Sequence, residues 1–157
     1  MKTCAELNAE AEGNGHIAWL VDVDSPDNPL GTSERESRRV CGASEDGIYL
    51  NCDSASFVDA IHMCFAAGAR LCTMEEILHD ETHTTGCNFD TQRVWSSTRS
   101  GCPEGQARSL AGASGSIEQF PQECTSITQV LPVRCCADIR PLCADGTPCH
   151  PSASLLT

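Results

Sequence analysis

Twelve cysteines spread from Cys4 to Cys149 constrain this chain more than any other feature. Only Cys135 and Cys136 are adjacent, and no Cys-x-x-Cys occurs. Zinc ribbons and thioredoxin-type redox centres are built on such close pairs, so both lose their signature. An even, dispersed set is what an oxidising compartment produces, and it points to a disulfide framework in a secreted or cell-surface protein. Cys4, Cys41, Cys52, Cys64, Cys72, Cys87, Cys102, Cys124, Cys135, Cys136, Cys143 and Cys149 are all expected in bridges. Spacing leaves their partners open. One constraint holds whatever the pairing: neighbours in a strand face opposite sides, so Cys135 and Cys136 must bond in different directions. At 157 residues the chain can bury a core, so bridges reinforce folding without replacing that core.

The formal net charge of −12 argues against nucleic acid, because too few Lys and Arg are present to displace phosphate counterions. It is compatible with calcium or with basic partners. No stretch is long and apolar enough for a membrane span. The start, Met1-Lys2-Thr3-Cys4-Ala5-Glu6, lacks the apolar run of a signal peptide, so a secreted form is expected to be a mature fragment. No Asn-x-Ser/Thr acceptor occurs.

Residues 1–40 read as a polar, acidic arm with one strand, Ile17-Ala18-Trp19-Leu20-Val21. A second strand pair is expected to bracket Cys41 and Cys52 around the turn Glu45-Asp46-Gly47. The clearest element follows Asp53: Phe57, Ala60, Ile61, Cys64 and Phe65 recur at helical spacing and define one apolar face. Ser56 caps its start and Gly68 stands at its end. Thr73-x-x-Glu76 is a capping box opening a second helix with Met74, Ile77 and Leu78, expected to end before Gly86. Strands are expected at 93–98, with Trp95 as core anchor, at 106–110, and at 130–136. The tail, 139–157, carries a small loop from Cys143 to Cys149.

The run Ser56 to Glu76, a helix bearing Cys64, then Gly-x-x-Leu, then a helix opened by Thr73, resembles the first helix and turn of C-type-lectin-like domains. Val94-Trp95-Ser96-Ser97-Thr98 and Val133-Arg134-Cys135-Cys136 are similar to that domain's central and last strands. Arg70-Leu-Cys-Thr, Thr85-Gly-Cys, Val94-Trp-Ser-Ser-Thr and Val133-Arg-Cys-Cys-Ala-Asp together resemble a cysteine-rich version found in extracellular proteins of algae and other protists. The resemblance covers about residues 41–138 and implies an α+β fold with two helices, a small antiparallel sheet and long loops. It further implies bonds from Cys64 to one cysteine of the last strand and from Cys102 to Cys124, with local pairs Cys41–Cys52, Cys72–Cys87 and Cys143–Cys149. Cys4 would then take the remaining member of Cys135 and Cys136. Calcium-dependent sugar binding is not carried over, because Glu-Pro-Asn, Gln-Pro-Asp and Trp-Asn-Asp are all missing.

His79 and His83 lie one helical turn apart, with Glu76 one turn earlier, a spacing that can grip zinc. Asp80 replaces the glutamate that a His-Glu-x-x-His protease uses as its base, and the plainer reading is a polar helix end. Asp22, Asp24 and Asp27 can surround calcium, but an EF-hand would need Gly and Glu where Asp27 and Ser33 stand, so a solvated acidic loop is the plainer account. No Gly-x-Ser-x-Gly elbow exists, and Gly68-x-Arg-Leu-x-Thr is shared with the sulfatase-activating fold only as analogy. No cofactor is expected.

Two functions follow as expectations. The first is a non-enzymatic extracellular structural protein: a subunit of a surface fibre, appendage or wall polymer that binds copies of itself through the arm. Ile17, Trp19 and Val21 are its assembly residues, since a large aromatic on a segment with little core needs a partner surface. The alternative is a calcium-independent module binding glycan or protein through loop 99–128.

Overall fold

The structure, a computed structural model, describes residues 1–13, 15, 19, 40–79, 82 and 85–138. The pair Cys143–Cys149, together with Ile17, Val21, Asp22, Asp24 and His83, lies outside the described residues.

The first element is one for which the sequence reading has no counterpart. Helix α1 (Cys4–Gly13) is built from Ala, Glu and Leu, strong helix formers. Thr3 and Glu6 clamp its start reciprocally: the Thr3 hydroxyl accepts from Glu6 N–H, and the Glu6 carboxylate accepts from Thr3 N–H. Cys4, Leu7 and Ala11 face inward at helical spacing. Trp19 is folded back onto this helix, because the Asn8 side-chain amide bonds both its N–H and its carbonyl. With 2% exposure, Trp19 sits in the same core cluster as Leu7, Phe57 and Trp95. The expectation that Trp19 needs a neighbour's surface is therefore corrected: its own chain supplies that surface.

Strand β1 (Val40–Ala43) pairs antiparallel with β8 (Cys135–Asp138), and β8 pairs on its other edge with β3 (Arg70–Leu71). The expected hairpin across Cys41 and Cys52 is reduced to a single bridge, Glu45 to Asn51. Three backbone N–H groups, of Ile48, Tyr49 and Leu50, converge on one Asp46 carboxylate oxygen and set that turn. A short ladder joins β2 (Ser54–Ala55) to β7 (Leu131–Pro132), and a second sheet runs β4 (Arg93–Trp95), β5 (Gln106–Ala111), β6 (Glu123–Ser126). The last strand is thus interrupted between β7 and β8.

Helix α2 (Phe57–Ala66) starts where the Ser56 hydroxyl accepts from Asp59 N–H. Gly68 then adopts a positive φ of 89° that a side chain rarely takes, and turns the chain into β3. Helix α3 (Met74–Leu78) carries the complete capping box of Thr73 and Glu76. Trp95 is fully buried: its indole N–H donates to the Ala55 carbonyl at 2.8 Å, and its ring meets Phe57 edge-on at 5.4 Å.

The pleat of β8 divides the interior in two. Cys135 points into the cluster holding Cys64 and Trp95, whereas Cys136 points into a second cluster with Cys72, Ile77, Phe89 and Leu110. The bridges follow: Cys64–Cys135 and Cys72–Cys136 leave β8 from opposite faces. Cys102–Cys124 ties the turn that precedes β5 to β6. The remaining two are Cys4–Cys41 and Cys52–Cys87, so the local pairs Cys41–Cys52 and Cys72–Cys87 do not form, and Cys4 does not reach the last strand. The reason is topological. Docking of α1 on β1 brings Cys4 beside Cys41, and β3 beside β8 brings Cys72 next to Cys136.

Between the two cysteine-bearing faces lies Arg134, fully buried. Its guanidinium donates to the carbonyls of Thr82 and Gly112 at 2.8 and 2.7 Å, pairs with Asp90 at 2.8 Å and lies over the Phe89 ring. One side chain thereby ties together three segments that have no common sheet.

Candidate interaction surface

Helix α2 explains where a surface feature comes from. Phe57, Ala60 and Cys64 recur at i, i+3 and i+7 and are buried. Val58, Ile61 and Phe65 recur at the same spacing, one residue further round, and point to solvent with exposures of 48, 38 and 73%. The helix is apolar over more than half its circumference, while the domain covers only one stripe. Ile61 and Phe65, which the spacing grouped on one apolar face with Phe57, Ala60 and Cys64, therefore lie at the surface while the other three are buried.

Beside that outer stripe opens a hollow of about 400 Å³ lined by Met1, Ile61, Phe65, Ala69, Leu71 and Thr73. Its floor is β3 and its far wall is the start of α3. The N-terminal segment is held along it, since Lys2 N–H donates to the Gly68 carbonyl at 2.8 Å. Lys2 closes an ion pair with Glu10, which raises its pKa.

Arg70 borders the hollow without offering it a free charge. Glu76 takes the guanidinium with two bonds of 2.6 and 2.7 Å, and Asp138 adds a third at 3.1 Å. Burial works against the cation, but the two carboxylates outweigh it, and the Arg70 pKa is raised above the ordinary arginine value. The hollow is consequently apolar inside, and its neighbouring cations are matched within the chain.

The other candidates fare differently. Glu76, one member of the proposed zinc trio, is occupied by Arg70 and by the Thr73 N–H of the capping box. His79 is the residue that follows α3, so the helix ends before it, and His83 lies outside the described residues. Among the described residues one group of three potential metal-binding side chains comes together, Glu45 with Cys52 and Cys87, and its two sulfurs are already bonded to each other. Loop 99–128 is only partly loop: β5 and β6 take a third of it, Arg108 ties Ser100 to β5, and Arg93 bonds the Pro121 carbonyl. No helix among the described residues is long and apolar enough to cross a membrane.

No family model matches the chain, and no curated protein matches it at a significant level. The outer stripe of α2 was the feature sequence reasoning missed. Its signal was present: five apolar residues crowd the ten positions 57–66 with Cys64 and two alanines, more than one buried stripe can use.

Proposed function

We propose that this chain is a non-enzymatic extracellular structural protein, a subunit of a surface fibre, appendage or wall polymer, built on a C-type-lectin-like scaffold. The observation that carries this reading is the outer stripe of α2, with Phe65 73% exposed at the lip of an apolar hollow. Contiguous exposed apolar surface of this kind marks a site of association. Five bridges suit a part that must hold its shape outside the cell. The lectin-like scaffold draws support from the bond of Cys64 to the last strand and from Cys102–Cys124, both of which that resemblance implies, although its local pairs Cys41–Cys52 and Cys72–Cys87 do not form. Assembly through the arm loses its central residue, since Trp19 is buried, and the assembly element becomes α2.

Negative-stain microscopy and sedimentation of the non-reduced protein across a dilution series test the proposal. Concentration-dependent assemblies are the expected result. A monomer at every concentration removes the structural reading and favours the glycan- or protein-binding module, for which glycan arrays are the next measurement.

A further inference from the structure

We infer that Cys52–Cys87 is a thiol–disulfide exchange site, at which an external thiolate takes the Cys52 sulfur and releases Cys87. Access singles this bridge out. Cys52 is exposed and Cys87 half-buried, whereas all six cysteines of Cys4–Cys41, Cys64–Cys135 and Cys72–Cys136 are buried. Cys102–Cys124, half-buried at both ends, is the nearest competitor. Backbone conformation separates the two. Among the described residues three that bear side chains hold a positive φ: Cys52 at 57°, Cys87 at 67° and Asn88 at 57°. Left-handed backbone is disfavoured for a residue with a Cβ and persists where its surroundings impose it. Both ends of one bridge carry that cost, and opening the bond removes the constraint that links them. Cys102 and Cys124 carry no such cost.

The surroundings suit reversible opening. The bridge ties the turn 44–52 to the segment that enters Phe89. The buried Ser44 and Thr85 hydroxyls bond at 3.0 Å across the same two segments, and Asp46 gathers three N–H groups of the turn. Leu50 and Phe89 are buried. These contacts remain when the sulfurs part, so exchange loosens one corner and leaves the core closed. The step balances without an oxidant. A small thiolate of the glutathione class forms a new S–S bond to Cys52; the Cys52–Cys87 bond breaks, and its electron pair leaves on the Cys87 sulfur, which takes a proton from water. A second thiolate attacking the small-thiol sulfur releases a small disulfide and the Cys52 thiol. Glu45 sets the pace. Its Oε2 stands 3.7 Å from Cys52 Sγ, and it lies within 4.8 Å of both sulfurs. A carboxylate there repels an incoming thiolate and disfavours the thiolate that leaves, so it slows exchange.

The test uses the native, non-reduced protein. It is incubated with reduced glutathione, quenched with iodoacetamide at intervals and mapped by peptide mass spectrometry. Glutathione on Cys52 and the alkyl group on Cys87 are expected, on the order of tenfold faster than any label at the other described cysteines, while near-ultraviolet circular dichroism stays native. Glu45→Gln is expected to speed the reaction about threefold, an advantage that shrinks in high salt. Cys102–Cys124 opening as fast, or glutathione on Cys87 with Cys52 alkylated, overturns the assignment of the site. Loss of the native signal as the bridge opens overturns local opening, and a rate unchanged by Glu45→Gln overturns the role of the carboxylate.

Discussion

The two bridges that leave β8 from opposite faces are expected to be strongly non-additive. Cys64–Cys135 closes a separation of 71 residues and Cys72–Cys136 one of 64. Taken alone, and allowing for the shortcut through Cys102–Cys124, either bridge restricts the unfolded chain by about 4 kcal/mol. They do not act alone. Once one is closed, the other completes a ring of only about nine residues, the segment 64–72 plus the 135–136 step, which is worth about 2.6 kcal/mol on the same scale. Removing either bridge by paired Cys→Ala substitution is therefore expected to cost about 2.6 kcal/mol, and removing both about 6.6, so the coupling is about 1.4 kcal/mol. The local cavities enter the single and double variants alike and cancel in the cycle. Guanidinium unfolding followed by tryptophan fluorescence, which reads the buried Trp19 and Trp95, measures all four corners. If each single variant loses about 4 kcal/mol and the losses add, the shared-loop reasoning is refuted.

Three further outcomes are expected. Arg134→Ala leaves Asp90 and two carbonyls without their donor and costs about 3–5 kcal/mol in chemical denaturation, with Arg134→Lys recovering only part because one ammonium cannot span three segments. Gly112→Ala forces a methyl group into the Phe89 carbonyl and destabilises by about 1–3 kcal/mol, read as a lower Tm; an unchanged Tm contradicts the close approach of the two backbones. Asp46→Ala frees three backbone N–H groups and accelerates amide exchange at Ile48, Tyr49 and Leu50, at a cost of about 2 kcal/mol, whereas Asp46→Asn keeps an acceptor oxygen and most of the protection.

Local rules made several elements legible before any folding. Ser56 and Thr73 mark helix starts because the satisfaction of first-turn N–H groups is a matter of a few neighbouring atoms. Thr3-x-x-Glu6 carried the same signal for α1, but the surrounding acidic composition read as an arm. The opposed directions of Cys135 and Cys136 followed from the strand pleat alone.

What only the tertiary structure decided has a common cause: it depends on which segments meet. The inner stripe of α2 and its outer stripe differ by one residue of rotation, and both are apolar. Nothing within the helix says which one the sheet will cover, so the exposure of Ile61 and Phe65 had to await packing. Bridge partners are chosen by the docking of α1 on β1 and of β3 on β8, contacts between segments far apart in the chain. Arg134 shows the same limit most sharply. In the sequence it is one polar residue before two cysteines; in the fold it is a buried cation whose partners come from residues 82, 90 and 112. Sequence determined the caps, the cysteine framework and the facing of β8, because those are local; burial, pairing and the interaction surface were decided by long-range contacts.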